Sequence, residues 1–212
     1  MKILPEEQYK YLKLSLPDGS DAGGHKVLLH ACCAPCSSAI VECMLRNGMK
    51  PTVFFSNSNI YPIEEYNTRK HELIRFLEDQ GVPYVEDVYD HEDWRQSIKG
   101  LENEPERGSR CSVCFQYRLL RAAQYAQEHG FPLLTTTLAS SRWKNIHQID
   151  MAGHVAVSNC PDVTWWEQNW RKGGLQMRRN ELLHIHDFYN QLYCGCEFSL
   201  ASSTAMQKNC PA

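Results

Sequence analysis

Seven of the ten cysteines fall into three tight groups. "LLHACCAPCSSAI", residues 28–40, sets Cys32, Cys33 and Cys36 directly after a short apolar run. Cys33-Ala-Pro-Cys36 by itself reads as a redox pair at a helix start. The adjacent thiol of Cys32 has no use in that chemistry. "RCSVCFQYRLL" adds Cys111 and Cys114, and "YCGCEFS" adds Cys194 and Cys196 around a single glycine. In a reducing compartment, clustered cysteines bind metal or carry electrons more often than they form structural bridges. Four thiolates suit either Zn²⁺ or an iron–sulfur cluster. A structural zinc site closes with four ligands, and the candidates here exceed four, which favours a cluster with something beside it. Cys194 and Cys196 are too close to give the usual bite on one metal, yet such a pair can close a strained, easily reduced disulfide. Tyr193 beside them is a candidate proton donor or a packing residue. Cys43, Cys160 and Cys210 stand alone and read as small hydrophobes.

Elements must bring these groups together. Short apolar runs over Lys26–His30, Thr52–Ser56, Pro83–Asp87, Leu133–Leu138 and Val163–Glu167 read as strands. Helical patterns lie between and after them, over Ser37–Asn47, Glu64–Gln80, Ser112–His129, Asn145–Val157 and Leu175–Asn190. Tyr66, Leu73, Ile74 and Leu77 recur at helical spacing, and Gly81 stands where a left-handed C-cap belongs. Ser37 or Ser38 is placed to cap the first helix. Such alternation predicts an α/β fold, a mostly parallel, doubly wound sheet in a single domain. Ligands of such sheets bind at the carboxyl ends of strands, near a switch point. The first cysteine group sits at such an end. Helix N-termini carry partial positive charge and free N–H groups, which favour thiolates in the first two groups. His30, closing the first strand, reads as a packed, hydrogen-bonded residue.

Composition bounds the rest. The chain has 212 residues, 22% charged and 42% apolar, with a net charge of −3. Those values fit an ordinary globular domain and argue against indiscriminate nucleic-acid binding. No apolar run reaches the length of a membrane span, and acids stand where a signal peptide would be apolar, so a cytoplasmic protein without membrane attachment is expected. Residues 1–24 end in "PDGSDAGG" and read as an extension and linker, 25–199 as the domain, 200–212 as a tail. The acidic stretch from Glu78 to Asp93 reads as a solvated face and its flanking loop. "WRKGGLQMRRN", from Trp170 to Asn180, holds four cations and no acid.

Taken in order, "LLHACCAPCSS", "FFSNSNIYPIEEYNTRK", "GSRCSVCFQYRL", "TTTLASSRWKN" and "YCGCEFS" resemble the cobalamin-independent epoxyqueuosine reductases. The resemblance runs from Val27 to Ser199. It implies a nucleotide-hydrolase-like Rossmannoid fold whose phosphate loop is replaced by cysteines. It also implies reduction of the epoxide on epoxyqueuosine at the wobble position of tRNA, the last step of queuosine synthesis, without cobalamin. By the same resemblance Cys32, Cys33, Cys111 and Cys114 hold a [4Fe–4S] cluster, and Cys194 and Cys196 form a redox-active disulfide pair. Cys36, left over, is the candidate ligand of an additional mononuclear iron. An electron donor is required, of unspecified identity. An anticodon loop is read by base stacking and local contacts, so Arg142, Lys144, Arg171, Lys172, Arg178 and Arg179 are candidate tRNA-binding residues. Two other readings of the residues are a thiol–disulfide oxidoreductase using Cys33 and Cys36, and a zinc-stabilised RNA-binding protein without catalytic activity.

Overall fold

Strand β1 (Lys26–Ala31) lies at the centre of a five-stranded, fully parallel sheet. With β2 (Lys50–Phe55), β3 (Tyr84–Glu86), β4 (Leu133–Thr136) and β5 (Thr164–Trp165), the order is β3-β2-β1-β4-β5. The computed structural model describes residues 12–208. The helices are α1 (Ala34–Arg46), α2 (Ile63–Gln80), α3 (His91–Ser97), α4 (Ser109–Glu128), α5 (Ile146–Val157), α6 (Leu175–Ile185) and α7 (Glu197–Lys208).

Alternation along β1 decides what each face buries. Val27, Leu29 and Ala31 join Ile40, Met44, Leu73 and Phe76, the layer of α1, α2 and α6. Leu28 points the other way, to Phe115, Leu119, Ala122 and Ile149, the layer of α4 and α5. Both faces of the sheet are therefore covered, as the apolar strands require. The chain leaves β1 toward β2 and β3, then returns to add β4 on the other side. The gap between the carboxyl ends of β1 and β4 is thus the switch point.

Local chemistry accounts for where the elements stop and where they depart from expectation. Gly81 ends α2 at φ 65°, the left-handed cap expected. Helix α1 begins earlier than its serines: Cys33 is its N-cap, in extended backbone, and Pro35 occupies the first turn. Ser37 is instead buried in that turn, its hydroxyl donating to the Cys33 carbonyl at 2.7 Å. The fourth strand ends at Thr136, because its Oγ1 accepts the Leu138 amide and tightens residues 137–140 into a 3₁₀ turn. The acidic stretch is exposed at Glu78, Asp79, Glu86, Asp90, Glu92 and Asp93, as expected, and its end starts α3, where Asp90 caps the Asp93 amide at 2.9 Å.

The described residues on either side of the expected domain are more integrated than the composition implies. Leu14 and Ala22 belong to the main core, and the Trp166 indole donates to the Ser15 carbonyl at 3.0 Å. The described part of the expected linker is therefore packed onto the domain. Helix α7 runs through the expected boundary at residue 199. Cys210 lies outside the described residues. No helix among those described is long and apolar enough to cross a membrane.

Candidate metal centre

The loop leaving β1 gathers the first cysteine group at the switch point. The sulfurs of Cys32, Cys33 and Cys36 lie within 4.8 Å of one another. Cys32 Sγ is 3.8 Å from Cys33 Sγ and also 3.8 Å from Thr137 Oγ1, so the segment after β4 closes the pocket. Gln191 Nε2 donates to Cys33 Sγ at 3.1 Å and to Cys36 Sγ at 3.6 Å. Tetrahedral thiolates at about 2.3 Å from a metal stand roughly 3.8 Å apart, so this spacing fits ligands of a single ion. Cys36, set apart in the sequence, is thus a full member of the closest group.

The second and third groups neighbour each other. Cys111 and Cys114 share one face at the start of α4. Burial raises the Cys111 pKa, and the charges of Cys194 and Cys196 raise it further. Burial also pushes Cys114 up to about 12 against the pull of Arg118 and of the Trp94 indole. That indole N–H is buried with no other acceptor among the described residues. Trp94, Cys114, Cys196 and Phe198 pack in one small apolar cluster. Arg69, itself buried, fixes the third group by donating to the carbonyls of Tyr193 and Cys194, each at 3.1 Å. At φ 134°, Gly195 occupies backbone that side chains rarely adopt, and a Cβ there would stand 3.2 Å from Arg69. All of these thiols are free.

Two cations join the groups. Arg118, one turn beyond Cys114, is 2% exposed and bonds Asn57 Oδ1 and the Ser56 carbonyl, with no carboxylate partner among the described residues. Arg118 and Lys144 both favour the Cys32 thiolate, after the Cys33 and Cys36 thiols that share their protons with it, and together these hold its pKa below the ordinary range. Burial alone would lower the Lys144 pKa, but Cys194, Cys32 and Cys36 outweigh it and hold the ammonium charged. A thiol set this buried, free of bridges and flanked by fixed positive charge suits anionic metal–thiolate chemistry.

The expected residues outside the thiol set meet different fates. His30 is packed as expected, its ring bonded to Thr136 Oγ1 at 2.8 Å and the Ser56 carbonyl at 3.1 Å. Arg178 does not offer its charge to a ligand: at 4% exposure it forms a two-point ion pair with Glu42 at 2.6 and 2.9 Å. Helix α6 turns it into the core against α1, away from the exposed Lys172 of the same stretch. Lys144 is half-buried, and the nearby sulfurs of Cys194, Cys32 and Cys36 hold its charge. Arg142 and Lys172 are exposed; Arg171 and Arg179 are half-buried and bonded to the Lys144 carbonyl and to Asn190. Gln191 and Trp94 carry no sequence signal, while Arg69 lies within the quoted motif "FFSNSNIYPIEEYNTRK" without being singled out there. Arg118 does carry one, a cation four residues from Cys114 on the buried face of a helix.

The family model described as epoxyqueuosine reductase QueH matches residues 27–202. This chain belongs to that family. It is 47% identical over 189 residues to epoxyqueuosine reductase QueH of Acinetobacter baylyi, covering 89% of this chain and 85% of that protein. The protein of the same name from Haemophilus influenzae is 47% identical over 191 residues, 90% of this chain and 76% of its own. The one from Thermotoga maritima is 31% identical over 177 residues, 82% of this chain and 90% of its own. Among solved structures, the U34-tRNA thiolase NcsA from Methanococcus maripaludis with its [4Fe-4S] cluster superposes with a TM-score of 0.52 at 13% identity. That match spans 90% of this chain and 68% of that one, a likeness of fold.

Proposed function

We propose that this chain is an oxidoreductase that reduces the epoxide of epoxyqueuosine at the wobble position of tRNA to give queuosine. The observation that carries the reading is the convergence of Cys32, Cys33, Cys36, Cys111, Cys114, Cys194 and Cys196 around Arg118 and Lys144, in a member of this family. Removing the epoxide oxygen as water and forming the C=C bond consumes two electrons and two protons. Oxidation of the Cys194 and Cys196 thiols to a disulfide releases that number of each. An external electron donor then restores the dithiol.

Cys32, Cys33, Cys111 and Cys114 would hold a [4Fe–4S] cluster, with Cys36 available to an additional iron. Bound there, such a group supplies single-electron transfer and Lewis-acid polarisation of a C–O bond. The protein's own residues do the rest. Arg118 and Lys144 offset the thiolate charge, Gln191 orients Cys33 and Cys36, and Arg69 holds the Cys194 backbone. Gly195 allows the turn that lets the two flanking sulfurs meet.

Protein purified without oxygen should be brown and contain about four irons per cluster. Cys111→Ala should lose this iron, while Cys43→Ala, whose thiol is buried in the core, should keep it. Cys194→Ser should keep iron but lose multiple turnover, because it cannot form the disulfide. A strain lacking any other such reductase should accumulate epoxyqueuosine, and this gene should restore queuosine by nucleoside mass spectrometry. Colourless protein holding only zinc, or failed complementation, would sink the assignment.

A further inference from the structure

At the rim of the thiol site the ring of one tryptophan has no partner among the described residues. Trp143 is 74% exposed, although large aromatic side chains gain most from burial. Its backbone is fixed from several sides. Arg107 Nε donates to the Trp143 carbonyl at 2.7 Å, and the Trp143 amide donates to Ser141 Oγ at 3.3 Å. Arg171 donates to the next carbonyl, that of Lys144, at 2.8 Å. An exposed ring on a braced loop can meet a ligand without first losing backbone entropy.

The surroundings define the ligand. Arg107, Arg142 and Arg171 cluster here with no carboxylate partner among the described residues. Burial lowers the Arg171 pKa, and repulsion from Arg107 adds to the effect, so these two positive charges stand close together. Arg107 holds a left-handed φ of 68°, uncommon for a side-chain-bearing residue, while its amide donates to Cys111 Sγ at 3.3 Å. Lys144, directly after Trp143, is electrostatically coupled to Cys194, Cys32 and Cys36. An aromatic face, unpaired cations around it and direct continuity with the redox centre fit a flat ring joined to phosphates.

We infer that Trp143 is a preformed stacking platform for an unpaired nucleobase of the RNA substrate, with Arg107, Arg142 and Arg171 receiving the adjoining phosphates. The inference rests on the proposed activity on tRNA and adds the residue that holds the loop at the site. Stacking of a base on an aromatic side chain contributes about 1–3 kcal/mol, and phosphate contacts set the salt dependence.

Those two contributions separate by experiment. Iron-loaded wild type, Trp143→Ala, Trp143→Phe and Arg142→Glu are titrated with epoxyqueuosine-containing tRNA over a range of salt. Trp143→Ala should bind about 5- to 150-fold more weakly, with the same slope of log K against log salt and unchanged iron content. Trp143→Phe should recover most of the loss. Arg142→Glu should flatten the slope instead. Binding should quench tryptophan emission in the wild type more than in Trp143→Phe. If wild type reduces the epoxide and Trp143→Ala binds equally well, or if Phe is no better than Ala, the platform is overturned and the activity stands. If wild type neither binds nor turns over the tRNA, the functional reading falls and the platform falls with it.

Discussion

At the residue scale, identical side chains take opposite roles according to what faces them. Arg118 and Arg178 are both buried arginines on helices. Arg178 is matched by Glu42 and Glu181, whereas among the described residues Arg118 meets neutral oxygens and the charge of Cys32. Removing Arg178 therefore tests the fold. Among the described residues, Arg178→Ala leaves the buried Glu42 with Arg46 at 3.3 Å, and should cost about 3 kcal/mol. That corresponds to roughly 6–12 °C in melting temperature by thermal denaturation. Lys172→Glu, on the exposed surface, should leave melting unchanged and alter only the salt dependence of tRNA binding.

At the scale of elements, close approach between helix and strand is set by small residues. Gly153, in α5, lies over Trp165 of β5, and a Cβ there would fall 2.1 Å from the indole ring. The ring is buried and cannot swing clear. Gly153→Ala, which favours a helix by propensity, should nevertheless destabilise the protein by about 1–3 kcal/mol, measured by urea denaturation. A gain in stability would show that α5 shifts freely over the sheet edge. Strand positions were readable because apolar runs on a sheet covered on both faces leave a strong signal. Helix starts were less so. Cys33, not a serine, caps α1, because Pro35 admits a first turn that begins three residues before Ser37 and no side-chain oxygen is needed.

At the scale of the molecule, the sheet edge is tied to the α4 layer through Asp87, which follows β3. Its carboxylate pairs with Arg121 and accepts from Ser56 Oγ at 2.6 Å. Burial alone would raise its pKa, but Arg121 and Ser56 hold it below the ordinary value. Its contribution to stability is therefore full above an unfolded pKa of about 3.9 and is lost as pH falls through the lower folded value. Asp87→Asn should cost about 1–3 kcal/mol at neutral pH. The gap to wild type should close below pH 3.9, as followed by urea midpoints across pH. A gap constant down to pH 2 would show that the charge does not stabilise the fold.

The sequence by itself determined the parallel sheet, the placing of the first cysteine group at a strand's carboxyl end, and the ordered motifs that mark the family. These are local properties: periodicity, cap residues and cysteine spacing need no knowledge of distant contacts. Only the tertiary structure decided which charges serve the site. "WRKGGLQMRRN" reads as one basic patch, yet α6 turns Arg178 inward to Glu42, 136 positions away in the chain. Lys144 likewise reads as a surface cation until β4 carries its loop back beside β1 and the thiolates. Trp143 looked like part of a motif, and its meaning depends on two arginines brought from positions 107 and 171 to brace it. Partnership across long chain separations is set by how the layers pack, and no local pattern encodes it.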